Sequence, residues 1–423
     1  MYRSCSEVIY QNRVNVPTTF YMNLLWGATM KHSLRQRPQL PPLLQAASQR
    51  RKDLELAAFA EAQVRWALET GLGPLLFQAT EGDPRASLSP LWPLLRGADL
   101  TAQVLTAEHF DAMSEILDAC KGHIHRVVLL KGISISEQYY PAPHLRPMRD
   151  IDFLVAEADL PTMESILLEL GYSQPLKRPL QAGFRPHHSS PFFHQRRGIW
   201  IEVHWRLFSS LSVFETDKVF RLDHVTTQFR PSIFQGRQVM RLSDELQLVY
   251  IAAHWHRDYN SVAVLGAMIA MVDIIYLLGN SKNVLHWGQI LDWLHGSAAA
   301  RPLYLLLTYL QRYHLIEVDP KVLRELSLSP QALGNPSLTV LHTLIDRYLV
   351  DGRPPGPILS ARTLSILWHS LLLPGPPWRN LLLLPWYLLP SWVGMRAWLS
   401  GLQTVPDSGV KQASPRVPPS EPD

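Results

Sequence analysis

Cysteine is nearly absent. Cys5 and Cys120 are the only two in 423 residues, too few for a disulfide framework or a cysteine-based structural zinc site, so a reducing compartment is the simpler reading. A strong charge of one sign is missing as well. The 40 basic and 36 acidic side chains leave a formal charge of +4, without a long basic run, which mildly favours an anionic ligand. No basic groove interleaved with aromatic residues is visible, so a nucleic acid is not favoured over a small molecule or a protein as partner. Residues 1 to 40 lack a basic segment followed by a long apolar core and a small-residue cleavage site, so export is not expected and a cytoplasmic location is. Long apolar runs are few. Val262 to Leu278 is short for a membrane span and carries Asp273, which reads as a buried helix. No internal repeat appears. What the chain does have is 47% hydrophobic residues, enough to exclude disorder as the overall state and to supply a core for each of two or three domains.

Along the chain the pattern changes four times. Residues 1–45 show no sustained period and end in a Pro-rich patch, Arg37 to Pro42, the signature of a poorly ordered leader. Residues 46–121 read as an N-terminal helical subdomain, with one helix over Lys52 to Thr70 that stops at Gly71 and another from about Leu100 to Cys120. Residues 122–242 hold short strand-like runs alternating with helices, among them HRVVLL, DIDFLV, PFFHQ and IWIEVHWRLF, which predict a small mixed sheet. A hairpin is expected to turn at Gln235 and Gly236. From Ser243, a plausible helix cap, residues 243–400 are helical in pattern, and 401–423 have the Pro, Ser and charge content of a disordered tail.

The chemistry concentrates in the mixed region. In RPMRDIDFLV, Asp150 and Asp152 stand two apart in a strand-like run, so both carboxylates share one face while Ile151, Phe153 and Val155 take the other. Paired carboxylates repel unless a cation lies between them, and Mg²⁺ takes such oxygen ligands at about 2.0–2.1 Å. In IWIEVHW, Glu202 and His204 share the face opposite Ile201, Val203 and Trp205. A strand beside the first would bring Glu202 to the aspartates, and three carboxylates can organise two ions about 3.5–4 Å apart. Upstream, VVLLKGIS is an apolar run that ends in Lys131 and Gly132 and opens a helix at about Ser134. The glycine would let the chain turn close to a ligand, and free amides at the helix start favour phosphate oxygens. Lys131 supplies a point charge suited to a triphosphate. Arg146 and Arg149 flank the aspartates.

LLKG, the D-h-D strand and the h-E-h strand together resemble the nucleotidyltransferase fold of the DNA polymerase beta superfamily. In detail, LLKG, RPMRDIDFLV and IEVHW are similar to a bacterial family of uncharacterised nucleotidyltransferases with the motifs LLKG, RPMxDIDLLV and [DE]hHW. Residues 125 to 210 carry the resemblance strongly and the helical part after Ser243 loosely. Where the superfamily usually has Gly-Ser, this chain has Lys131 and Gly132, as does the narrower family. The resemblance implies an α+β fold, a polymerase-beta-like core flanked by an N-terminal and a larger C-terminal helical region. It implies Asp150, Asp152 and Glu202 as ligands of Mg²⁺ or Mn²⁺ and Lys131 and Gly132 at the phosphate turn; Ser134, at the expected helix start, is read as a further triphosphate contact. The activity implied is transfer of a nucleoside monophosphate from an NTP to an acceptor, which the sequence leaves open among a small molecule, a protein side chain and an RNA end. Arg146, Arg149, His188 and His204 are second candidates for phosphate or acceptor contacts.

Other readings stand beside these. His204 either meets the nucleotide, orients a carboxylate or is a structural histidine. Asp273 either pairs within the core or faces the cleft. His254 and His256 do not read as a metal pair, because HxH on a helix sends the rings to different sides. The segment from Pro377 to Met395 is rich in Leu and Trp and reads as a hydrophobic strap or as a peripheral membrane contact, since Pro385 and Pro390 break a spanning helix. The competing class for the whole chain is a binding or scaffold protein that keeps the fold without turnover.

Overall fold

A computed structural model describes residues 54–328, apart from 176–185, 211, 213, 261–263 and 280–284, and four isolated positions beyond them, 338, 342, 345 and 346. Helices α1 (Glu61–Glu69), α2 (Gly73–Thr80) and α3 (Trp92–Ala119) come first. The helix expected over 52 to 70 is shorter than its propensity suggests, because Ala60 is extended and separates α1 from a 3-10 turn at Leu56–Ala58. Gly71, with φ of 76°, turns the chain at the end of α1. Helix α3 begins eight residues before the expected start at Leu100, with Pro93 in its first turn, where a missing N–H costs nothing.

The sheet follows. Strands β1 (Val128–Leu129), β2 (Asp150–Leu154), β3 (Phe192–His194), β4 (Ile199–His204), β5 (Phe229–Phe234) and β6 (Arg237–Leu242) form one sheet in the order β3-β4-β2-β1-β6-β5. It is mixed: β2 runs parallel to β4 and β1 parallel to β6, while β1–β2, β3–β4 and β5–β6 are antiparallel. Helices α4 (Lys131–Tyr139) and α5 (Leu160–Glu169) connect its strands, and the short α6 (Leu222–Thr227) precedes β5. The hairpin turns at Gln235 and Gly236, both at positive φ, the backbone twist that a two-residue connection needs.

Period-2 alternation explains which side of the sheet is dry. Ile151, Phe153, Ile199, Ile201, Val203 and Phe192 face Phe110, Met113, Ile116 and Leu117 of α3 and Met163 and Leu167 of α5 in one buried cluster. The polar residues of β2 and β4 are thereby committed to the other side.

Helices α7 (Asp244–Asn260), α8 (Val264–Gly279), α9 (Trp287–Leu294), α10 (Ala300–Arg312) and α11 (Pro320–Leu328) complete the described elements. Buried polar bonds tie them to the core. Tyr139 donates to Asp244 at 2.7 Å, Tyr140 to Asp273 at 2.7 Å, and Arg146 pairs with Asp273 at 2.8 Å. The apolar segment around Asp273 is thus a buried helix whose charge is paired, as a buried charge must be. Among the described residues no helix is long and apolar enough to cross a membrane. The leader, the tail and Pro377 to Met395 lie outside the described residues.

Candidate active site

The sheet register decides which carboxylates meet. Across the parallel pair β2–β4, Asp152 lies opposite Glu202, Asp150 opposite Trp200 and Leu154 opposite His204. Residues two apart on a strand share a face but stand about 6.6 Å apart along it, so only one of the two aspartates can sit beside Glu202. That one is Asp152. One ligand atom each from Asp152, Glu202 and His204 falls within 4.8 Å of the others. Asp150 is on the same face, one step further along the strand.

Two cationic or donor groups already serve this centre. The Lys131 ammonium lies 2.6 Å from Asp152 Oδ1 and 3.9 Å from Glu202 Oε2. His204 Nε2–H donates to the same Asp152 oxygen at 2.8 Å and stands 3.7 Å from Glu202 Oε2. Asp152 and the His204 ring are almost fully buried. His188 comes from the segment before β3 and bridges to His204 across the backbone. Its Nδ1–H donates to the Ser189 carbonyl at 2.7 Å, which leaves Nε2 turned toward Glu202 Oε2 at 4.0 Å.

The electrostatics split the acids. Burial raises Asp150, and the Asp152 carboxylate adds to that, so that its carboxyl is pushed up to about 7. Burial pushes Asp152 the same way, but Lys131 and His204 outweigh it and hold that group below its ordinary value. Glu202 is likewise held low against its burial, by His204, Lys131 and His188. Burial also lowers His188, toward the neutral ring. Closely set, desolvated carboxylates with one member driven toward protonation are what a site looks like when positive charge is in short supply. This donor set of carboxylate oxygens and one imidazole fits a divalent cation.

Lys131 and Gly132 divide the labour of the turn differently from expectation. The helix opens at Lys131 rather than near Ser134. Lys131, with φ of 45°, is the residue in the left-handed conformation. Gly132 is required by space: a Cβ there would stand 2.7 Å from Arg146 Nη1 and 2.9 Å from Met148 Cγ. Ser134 lies inside α4 and is fully buried, its hydroxyl accepting from Gln138 at 2.9 Å and its carbonyl from Arg241 at 2.7 Å. Arg146 is buried on Asp273, and Arg149 is exposed. His254 and His256 are buried in the helices, His254 stacked on Phe208 at 5.3 Å and His256 edge-on to Phe214.

A family described as uncharacterised nucleotidyltransferase matches residues 58–314, more than half of the chain, and the chain belongs to it. The match begins in the 3-10 turn before α1 and ends just after α10, so it takes in the whole sheet and the carboxylate site. Nothing matches among curated proteins or among solved structures.

Proposed function

We propose that this chain is a divalent-metal-dependent nucleotidyltransferase that moves a nucleoside monophosphate from an NTP to an acceptor hydroxyl or similar group, releasing pyrophosphate. The observation that carries the reading is the register of Asp152 against Glu202 on adjacent parallel strands, with Asp150 on the same face. In the reaction, an acceptor oxygen forms a bond to the α-phosphorus while the bond to the bridging oxygen breaks. The electron pair leaves with pyrophosphate, and the acceptor proton goes to a carboxylate. Such a transfer needs positioning and charge neutralisation more than a protein nucleophile.

Asp150, Asp152 and Glu202 would hold Mg²⁺ or Mn²⁺. When bound, the cation supplies charge neutralisation at the phosphates and acidifies the attacking oxygen. The rest falls to the chain's own residues. Lys131 is set at the end of β1 to exchange its carboxylate contacts for the β or γ phosphate. The α4 start behind Gly132 offers backbone amides to phosphate oxygens, with Ser134 one turn deeper. Arg149, exposed and next to Asp150 in the chain, is assigned to phosphate or acceptor, while Arg146 shapes the turn from behind. His188, half-buried with Nε2 toward Glu202, is assigned to the acceptor, while His204 is too deeply buried to touch it and stands among the carboxylates. The acceptor itself is not specified by these residues, whether small molecule, protein or RNA end.

The test is calorimetric titration of ATP, GTP, CTP and UTP with Mg²⁺ into the native chain and into the Asp150→Asn, Asp152→Asn double variant. Magnesium-dependent binding of one NTP, lost in the folded double variant, is expected. A folded native chain that binds none of the four would overturn the reading and favour a scaffold without turnover.

A further inference from the structure

The acidic residues are not alone at the centre of this site, and the group that completes it is a nitrogen. His204 is fully buried, with its Nε2 2.8 Å from Asp152 Oδ1 and 3.7 Å from Glu202 Oε2. Neighbouring donors around a first-row ion, each at about 2.1 Å, stand about 3.0–3.4 Å apart, and these two separations bracket that range. Among the described residues the Lys131 ammonium also approaches both oxygens, at 2.6 Å and 3.9 Å, but it carries a positive charge and ligates nothing.

The His204 Nδ1 atom is buried and has no hydrogen-bond partner among the described residues. To bind an ion, Nε2 gives up the proton it donates to Asp152 in the metal-free chain, and Nδ1, which no bond commits as an acceptor, takes up the ring proton. Here the one bond it makes points at the carboxylate centre. His187 packs edge-on to it and His188 tilted against it, each at a ring-centroid distance of 5.3 Å, which restricts its plane.

We infer that His204 is a ligand of the site's cation through Nε2, together with Asp152 and Glu202, so that the first ion is a transition metal that accepts imidazole, with Mn²⁺ favoured over Mg²⁺. The inference rests on the nucleotidyltransferase reading above and sharpens it. Mg²⁺ demands oxygen donors and gains little from imidazole, whereas first-row transition ions take nitrogen readily. Two carboxylates and one imidazole suit Mn²⁺, which tolerates both donor types. Asp150, outside this three-donor set, is left to face the nucleotide side or a second ion.

The experiment uses the full chain, freed of metal by chelation and without nucleotide, so that no base nitrogen can interfere. Mn²⁺ is added at substoichiometric amounts and its hyperfine coupling to ¹⁴N is read by pulsed electron paramagnetic resonance; Mn²⁺ and Mg²⁺ affinities are measured by calorimetry. Expected are one imidazole coupling in the native chain, its persistence in His188→Ala and its loss in His204→Gln. Mn²⁺ affinity should fall on the order of 100-fold in that variant, and Mg²⁺ affinity much less. Bound Mn²⁺ without nitrogen coupling, or a coupling that survives His204→Gln, would overturn the inference while leaving the carboxylate metal site standing. Failure of both ions to bind, even with NTP present, would overturn both readings. If His204→Gln does not fold, the native chain decides: a coupling retained in both His187→Ala and His188→Ala belongs to His204, and one lost in either does not.

Discussion

The Arg146 guanidinium grips Asp273 through two parallel hydrogen bonds, Nε to Oδ1 and Nη2 to Oδ2, each 2.8 Å long. Both residues are buried, and the Tyr140 hydroxyl donates a third bond to Asp273 at 2.7 Å. Removing one partner of such a pair leaves the other as an uncompensated charge, which costs more than the pair contributes. Asp273→Ala should therefore destabilise the chain by about 3–5 kcal/mol, read as a shift in the urea midpoint. A loss below about 1 kcal/mol, the range of an exposed pair, would show that Arg146 finds water or another acceptor.

Lys131 serves the carboxylates with a charge that a cation would otherwise supply. Lys131→Met keeps the apolar stem and removes that charge. In the absence of nucleotide the variant should bind Mn²⁺ more tightly, by roughly tenfold or about 1.4 kcal/mol, because no ammonium competes for Asp152. NTP binding should weaken, since the triphosphate loses a contact. The two effects have opposite sign, so calorimetry of each ligand is decisive. A parallel loss of both would mean that the lysine only holds the site together.

His256 gives the chain a pH dependence of its own, remote from the carboxylates. Burial, with Arg301 nearby, holds this imidazole down at about 4. In the unfolded chain it returns to about 6.5. Below that value the unfolded chain takes up a proton that the folded chain refuses, so stability is full above about pH 6.5 and drains away as pH falls toward 4. The slope from this group approaches 1.36 kcal/mol per pH unit, on the order of 3 kcal/mol across the window. Denaturant titrations at several pH values between 4 and 7.5 should show a shallower decline for His256→Leu than for the native chain. Equal slopes would mean that water reaches the ring.

Much of this arrangement was legible in the sequence where the governing physics is local. The alternation in DIDFLV and IWIEVH is enough to assign a dry face and a polar face, and Gln235-Gly236 is enough to place a hairpin. The runs DIDFLV and IWIEVH, which carried the resemblance, are the strands β2 and β4 that the sheet sets side by side. What could not be read is set by register and by distant partners. Whether Asp150 or Asp152 stands opposite Glu202 depends on a pairing between strands 50 residues apart in register, and a slip of two residues would exchange them without changing a single face. The sequence likewise places His204 on the right face but not within reach of Asp152. Arg146 looked like a phosphate ligand because it flanks the aspartates; its partner lies 127 residues on. The glycine after Lys131 suggested a turn by conformational freedom, whereas the structure uses it to make room for Arg146.

That room has a mechanical meaning. The Arg146 side chain occupies the volume that a methyl at Gly132 would need, and the same guanidinium is anchored on α8. The turn that aims Lys131 and the helix that carries Asp273 are therefore coupled in series through one rigid, planar group. A change that frees Asp273 therefore also loosens the wall behind Gly132, and the two ends of the molecule's polar core share one fastening.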